Sequence, residues 1–186
     1  QMPRWTDPML ATLAEERFDH EDWIYERNLD GERVLVFKNT RSVELYSRNR
    51  KNISDTYPEI VRQLQAQEAA RCLLDGEVVA FSGNTTSFAK LQKRMQIKDR
   101  ASARRSDIGV FLYVFDILYL DGYQIEALAL RRRKEILKRA VRFGGRLRFT
   151  AHRNEQGEQF YGEACRKGWE GIIAKDAHSA YVPGRP

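Results

Sequence analysis

The chain has 186 residues, 42% of them hydrophobic and 31% charged, which suits a globular protein with one sizeable core and excludes a disordered one. Lys and Arg number 32 against 26 Asp and Glu, a net charge of +6 that favours polyanions without naming one. No apolar run approaches the roughly 20 residues of a spanning helix and the N-terminus lacks a secretory pattern, so the chain reads as intracellular, with no membrane partner.

Residues 9–14 read as a short amphipathic segment packed ahead of the first strand. The stretch Glu26-Arg27-Asn28-Leu29-Asp30-Gly31-Glu32-Arg33 then predicts a hairpin, with strands at 23–26 and 33–38 joined by a tight Asp-Gly turn. Such a hairpin would aim Glu26, Asn28, Asp30 and Arg33 at one pocket, or lie as an ordinary surface feature. A third strand at 43–47 completes a meander that needs a covering layer. The basic loop 47–52 follows, then helical periodicity over 57–72. The run 72–81 reads as a second pair of apolar segments broken by Asp75-Gly76.

A helix is expected over 87–97 with Phe88, Leu91 and Met95 inward, and a loop or helix end over 98–107. The run 109–120 should be the most buried strand. Its central charge, Asp116, is either a backbone-locking structural group or a site residue, because a lone buried carboxylate is costly. Asp121-Gly122 makes a turn, 130–143 a basic amphipathic helix, 147–150 a strand, 157–168 a helix and 169–175 a final buried strand with charges at both ends. The basic clusters at 90–105 and 131–146 are solvated helix faces, or phosphate and nucleic-acid contacts. Cys72 and Cys165 read as reduced core thiols, and His20, His152 and His178 are too scattered for a metal site.

Acidic and basic groups therefore gather at strand ends, and a rim with both signs of charge suits a nucleotide with a divalent cation. Neither a GxxxxGK[ST] nor a GxGxxG loop is present, which disfavours P-loop and Rossmann sites.

Taken together, Glu26-x-Asn28-x-Asp30-Gly31-x-Arg33, Ser47-Arg48-Asn49, Asp75-Gly76-Glu77, the segment Val114-Phe115-Asp116-Ile117-Leu118 and Glu170-Gly171-Ile172-Ile173-Ala174-Lys175, running on to Ser179-x-Tyr181-x-Pro183-Gly184-Arg185, strongly resemble the adenylation domain of ATP-dependent DNA ligases. Within that family the likeness is greatest to the bacterial end-joining type, DNA ligase D. It covers nearly the whole chain. The resemblance implies an α+β ligase-type nucleotidyltransferase (ATP-grasp-like) domain over 1–186, with antiparallel sheets, flanking helices and a nucleotide cleft between the sheets. Family members continue into a Trp-x-Lys-x-Lys motif and an OB-fold domain, neither of which is in this chain.

The same resemblance implies roles. Glu26 and the backbone beside it would read the adenine edge, and Phe115 would stack on the base or serve as plain core. Glu77 would hold the ribose hydroxyls, and Arg33 and Arg48 would contact ribose, phosphate or the nick 5′-phosphate. Glu170, helped by Asp30, would bind Mg²⁺ or Mn²⁺, although Asp30 could serve mainly as a turn residue. Lys175 would neutralise the α-phosphate, and Arg185 would lie at the exit toward the next domain. The implied partners are ATP, nicked double-stranded DNA and end-joining proteins, bound by a monomer.

The family's nucleophile is the lysine of Lys-x-Asp-Gly, where this chain has Asn28. An amide nitrogen has no usable lone pair, so ATP binding without self-adenylation is expected. Asn28 reads as a deliberate substitution in otherwise intact motifs, with a natural pseudo-enzyme as the alternative. The rival readings are a catalytically silent nucleotide- or DNA-binding module, and an RNA ligase or capping-type nucleotidyltransferase.

Overall fold

The structure, a computed structural model, describes residues 1–14 and 16–184. The chain runs β1 (Trp23–Asn28), β2 (Glu32–Lys38), β3 (Val43–Ser47), α1 (Pro58–Gln65), β4 (Cys72–Ser82), β5 (Thr85–Thr86), α2 (Phe88–Met95), α3 (Arg100–Arg105), β6 (Val110–Leu120), β7 (Tyr123–Gln124), α4 (Leu130–Ala140), β8 (Leu147–Phe149), β9 (His152–Asn154), α5 (Gly157–Arg166) and β10 (Gly171–Asp176). The strands form two sheets, a small one ordered β10-β1-β9 and a larger one ordered β3-β2-β4-β6-β7, with β5 on β4 and β8 parallel to β6. This is the α+β arrangement expected.

Alternation along the strands separates two faces of the large sheet. Val34, Val36, Leu74, Val78, Leu112, Val114 and Ile117 point outward and pack against Ile60, Val61 and Leu64 of α1, Leu91 of α2 and Leu137 of α4. Each such aliphatic side chain contributes about 1.5–3 kcal/mol by leaving water. Leu35, Phe37, Leu73, Leu118 and Tyr119 point inward, under Trp5, Met9 and Tyr181. The small sheet is anchored to α4 by Ile24 against Leu130. The first turn of α4 is tied down from outside, its Leu130 and Arg131 amides donating to Ser179 and Ala177 carbonyls at 2.9 Å.

The strands around Asp30-Gly31 are not a hairpin. β1 pairs with β10 and β9, whereas β2 pairs with β3 and β4, so Leu29, Asp30 and Gly31 carry the chain from one sheet to the other. Gly31 is needed for close approach: a Cβ there would lie 2.3 Å from the Val78 carbonyl oxygen. Asp75-Gly76 likewise does not break the chain. It sits inside the single strand β4, where the β4–β6 register shifts, and a Cβ on Gly76 would lie 2.6 Å from the Tyr113 oxygen.

Other expectations are corrected. The 9–14 segment forms no helix, and Leu13 is 98% exposed. In α2 the buried residues are Leu91 and Arg94, while Phe88 is exposed. The Arg94 guanidinium is satisfied by both Glu59 oxygens and the Thr56 carbonyl. Within 98–107 lies a short helix, α3, capped by the Asp99 side chain accepting from the Ser102 amide at 2.8 Å. The helix expected over 57–72 is confined to α1, and β10 is half-buried along its length. Cys72 is buried, but Cys165 is exposed. No helix among the described residues is long and apolar enough to cross a membrane.

Candidate active site

The site lies where β1 and β10 of the small sheet meet β2, β4 and β6 of the large one. Antiparallel pairing sets Asn28 opposite Gly171, Glu26 opposite Ile173 and Ile24 opposite Lys175. Glu26, Asn28 and Lys175 therefore share one face of the small sheet. On the large sheet Arg33 is in register with Glu77, and Leu35 with Asp75.

Glu26 is 1% exposed and its two oxygens are divided between two lysines. Lys175 donates to Oε2 at 2.6 Å, and Lys134 of α4 donates to Oε1. Burial pushes the Glu26 carboxyl up, but Lys175 and Lys134 together outweigh it and hold the group below its ordinary value. The carboxylate is thus committed to the two cations.

Phe115, 9% exposed, has the Arg33 guanidinium 4.5 Å and the Lys175 ammonium 4.4 Å from its ring centroid. Arg33 in turn donates to both Asp75 oxygens, at 2.6 and 2.7 Å, and to the Met9 carbonyl at 3.1 Å. Asp75 also accepts from the Tyr181 hydroxyl at 2.6 Å. Each cation beside the Phe115 ring is therefore itself bound to a carboxylate, Arg33 to Asp75 and Lys175 to Glu26.

Glu77 follows Asp75 by two residues on the same face. Burial pushes its carboxyl up to about 7; Arg33 opposes the rise, while Asp75 and Glu170 add to it. Glu170 is raised by burial and then by Asp30, and Asp30 accepts a long hydrogen bond, 3.4 Å, from the Phe88 amide. Three carboxylates thus act on one another at this end of the site. Among the described residues no three His, Cys, Asp or Glu side chains come together closely enough to hold a metal by themselves. Asp30 and Glu170 fit Mg²⁺ or Mn²⁺ in another way, as the one or two carboxylates that Mg²⁺ takes while drawing its other ligands from phosphate and water.

The motif residues Glu26, Asn28, Asp30, Arg33, Glu77, Phe115, Glu170 and Lys175 therefore converge. Arg48 is exposed in the turn after β3, and Arg185 lies outside the described residues. Asp116 proves structural: Arg133 grips both its oxygens, at 2.8 and 2.9 Å.

Lys134 escapes a reading based on motifs. Its run Arg131-Arg132-Arg133-Lys134 looks like a solvated face, yet Leu130, Arg133, Lys134 and Leu137 are the buried stripe of α4. That i, i+3, i+4, i+7 spacing was the available signal. Near Lys134, the Thr150 hydroxyl and the His152 Nδ1 are buried without hydrogen-bond partners. Burial, with Lys134 beside it, pushes His152 down to about 4, so the ring is neutral near pH 7.

The model of the family described as "ATP dependent DNA ligase domain" matches residues 8–186. DNA ligase 2 of Haloquadratum walsbyi is 32% identical, over 99% of this chain and 31% of its own length. The DNA ligase of Haloarcula marismortui is also 32% identical, over 100% of this chain and 35% of its own. This chain thus spans about a third of the length of these relatives. A solved mycobacterial DNA ligase D, complexed with ATP and MES, superposes with a TM-score of 0.79 at 29% identity, over 97% of this chain and 57% of that one. The ATP-dependent DNA ligase of bacteriophage T7, in complex with ATP, shares the fold at a TM-score of 0.62 and 17% identity, over 88% of this chain and 59% of that one.

Proposed function

The chain belongs to the ATP-dependent DNA ligase domain family, and from that premise we propose that it is the adenylation domain of a nick-sealing enzyme which binds ATP between its two sheets but forms no lysyl-AMP. The observation that carries this reading is the placement of Asn28: it ends β1 on the face shared by Glu26 and Lys175, at the position where the family motif has its nucleophile.

In the proposed complex the base lies against Phe115, with its edge toward the backbone at Glu26. Glu77 accepts from the ribose hydroxyls, and Arg33 and Arg48 contact ribose, phosphate or the 5′-phosphate of the nick. Lys175 faces the α-phosphate. Asp30 and Glu170 hold Mg²⁺ or Mn²⁺, which supplies charge neutralisation at the phosphates. Arg185 stands toward a following OB-fold domain. In a parent enzyme with the motif lysine, the amine displaces pyrophosphate from ATP, the nick 5′-phosphate takes the AMP, and the 3′-hydroxyl displaces it. Here the first step stops, because the Asn28 amide nitrogen has its lone pair delocalised into the carbonyl. Nicked duplex DNA, an end-joining repair setting, a monomeric state and a cytoplasmic, nucleoid-associated location complete the proposal.

The test is intact mass after incubation with ATP and Mg²⁺ or Mn²⁺, for this chain and for Asn28→Lys. Gain of one AMP by the lysine form alone supports the reading. Gain by the unaltered chain overturns it. Nick binding indifferent to ATP would favour a silent DNA-binding module instead.

A further inference from the structure

Lys134 has no part in the roles above, yet its amine is fully engaged inside the molecule. It is 2% exposed, and its ammonium donates to Glu26 Oε1, to the Thr150 carbonyl at 3.1 Å and to the Phe115 carbonyl at 3.4 Å. An ammonium has three hydrogens, so every one of them has an acceptor. It thus joins α4 to β1, to β6 and to the chain just after β8, at the point where the two sheets meet.

Two ammonium groups share one carboxylate here, because Lys175 holds the other Glu26 oxygen at 2.6 Å. With all three groups ionised, the cluster carries one positive charge more than it neutralises. That surplus rests on Lys175, the more exposed of the two amines, which lies 4.4 Å from the Phe115 ring centroid. Were Lys134 absent, Glu26 would face Lys175 alone. A buried carboxylate freed of one partner turns to the other, and the pair would close on itself with no net charge.

We propose that Lys134 is a positioning residue of the nucleotide site: by taking one oxygen of Glu26 it keeps Lys175 only half neutralised, and so available to a phosphate of the bound nucleotide. The inference rests on the reading of the cleft as an ATP site. Lys134 also holds the Phe115 carbonyl, and through it the ring against which the base would lie. Burial holds the Lys134 pKa below its ordinary value, with Glu26 opposing the drop.

The test is calorimetric titration with ATP and Mg²⁺ of the unaltered chain, Lys134→Met, Lys134→Arg and the double variant Glu26→Gln/Lys134→Met, each with a thermal melt. Lys134→Met is expected to bind ATP about tenfold more weakly, the size of a lost charge-assisted contact. Lys134→Arg keeps the cation and is expected within about threefold of the unaltered chain. The double variant is expected to recover part of the affinity that Lys134→Met loses, because the neutral amide that replaces the Glu26 carboxylate cannot quench Lys175. Undiminished binding by Lys134→Met overturns the proposal. So does a loss that the double variant fails to restore, which would make Lys134 a plain packing residue. If Lys134→Met does not fold, Lys134→Gln takes its place in both comparisons, with the same outcomes for the proposal. Absence of ATP binding by the unaltered chain overturns the ATP-site reading, and this inference with it.

Discussion

Arg33 and Asp75 form a two-toothed ion pair across adjacent strands, with Nε 2.6 Å and Nη2 2.7 Å from the two carboxylate oxygens. Asp75 is wholly buried, and it also takes the Tyr181 hydroxyl, which in turn accepts the Met9 amide at 2.8 Å. The pair therefore does more than hold β2 to β4. It pins the N-terminal segment, sets the Arg33 guanidinium over Phe115 and lowers the charge that Glu77 would otherwise feel from Arg33 alone.

Removing one half leaves a buried charge without its partner. Asp75→Ala is expected to cost about 3–5 kcal/mol in urea unfolding, because Arg33 and the Tyr181 hydroxyl both lose their acceptor. A cost below about 1 kcal/mol, the range of an exposed pair, would show that the array does not form.

Glu77 sets a pH dependence. Its carboxyl titrates at about 7 in the folded chain, above its ordinary value of 4.5, so the folded state binds the proton more tightly than the unfolded one. Stability is then unaffected below about pH 4.5 and falls as pH rises from there through about 7, by an amount of order 3 kcal/mol at most. Glu77→Gln is expected to flatten that slope and to be more stable than the unaltered chain at pH 8, while losing ATP affinity if the ribose contact holds. Chemical denaturation at pH 5 and pH 8 checks it, and an equal slope in the variant would refute the assignment.

Gly31 tests the crossing between the sheets. A methyl group there meets the Val78 carbonyl oxygen at 2.3 Å, Glu77 Cγ at 2.8 Å and Val79 Cγ1 at 2.8 Å, and the first of these is backbone that cannot swing aside. Gly31→Ala is expected to cost about 1–3 kcal/mol, typical of overpacking, and to weaken ATP binding by moving Asp30 and Glu77. Unchanged stability would mean that the loop has room the structure does not show.

Periodicity made most of the fold legible. Val110–Leu120 is strand because β-branched and aromatic residues fill most of it, and Leu130–Ala140 is helix because apolar groups recur at helical spacing. Asp-Gly misled twice, since glycine marks a turn and a close approach alike, and only the neighbouring strand tells which. Buried cations misled as well: Arg94, Arg133 and Lys134 occupy core stripes because acceptors wait inside, and their carboxylate partners are 17 to 108 residues away in the chain. The motifs named the groups around the cleft, but not that Glu26 is spent on two lysines or that Arg33 is spent on Asp75. Pairing of this kind is a property of the folded sheet and not of spacing.

Asp116 and Arg133 give the last prediction. Arg133 grips both oxygens of Asp116 and also donates to the Leu128 carbonyl and, at 3.0 Å, the Ser179 carbonyl, so it locks the start of α4 to the segment after β10. Burial pushes Asp116 up and Arg133 works against it, so the carboxylate depends on its partner. Arg133→Met is expected to cost about 3–5 kcal/mol, and Asp116→Asn about as much, because each strands a buried group. The double variant should cost clearly less than the sum, since the second change removes the charge that the first left stranded. Strict additivity in that cycle would mean that the two residues act separately, and Asp116 would then have to be considered for a role at the nucleotide.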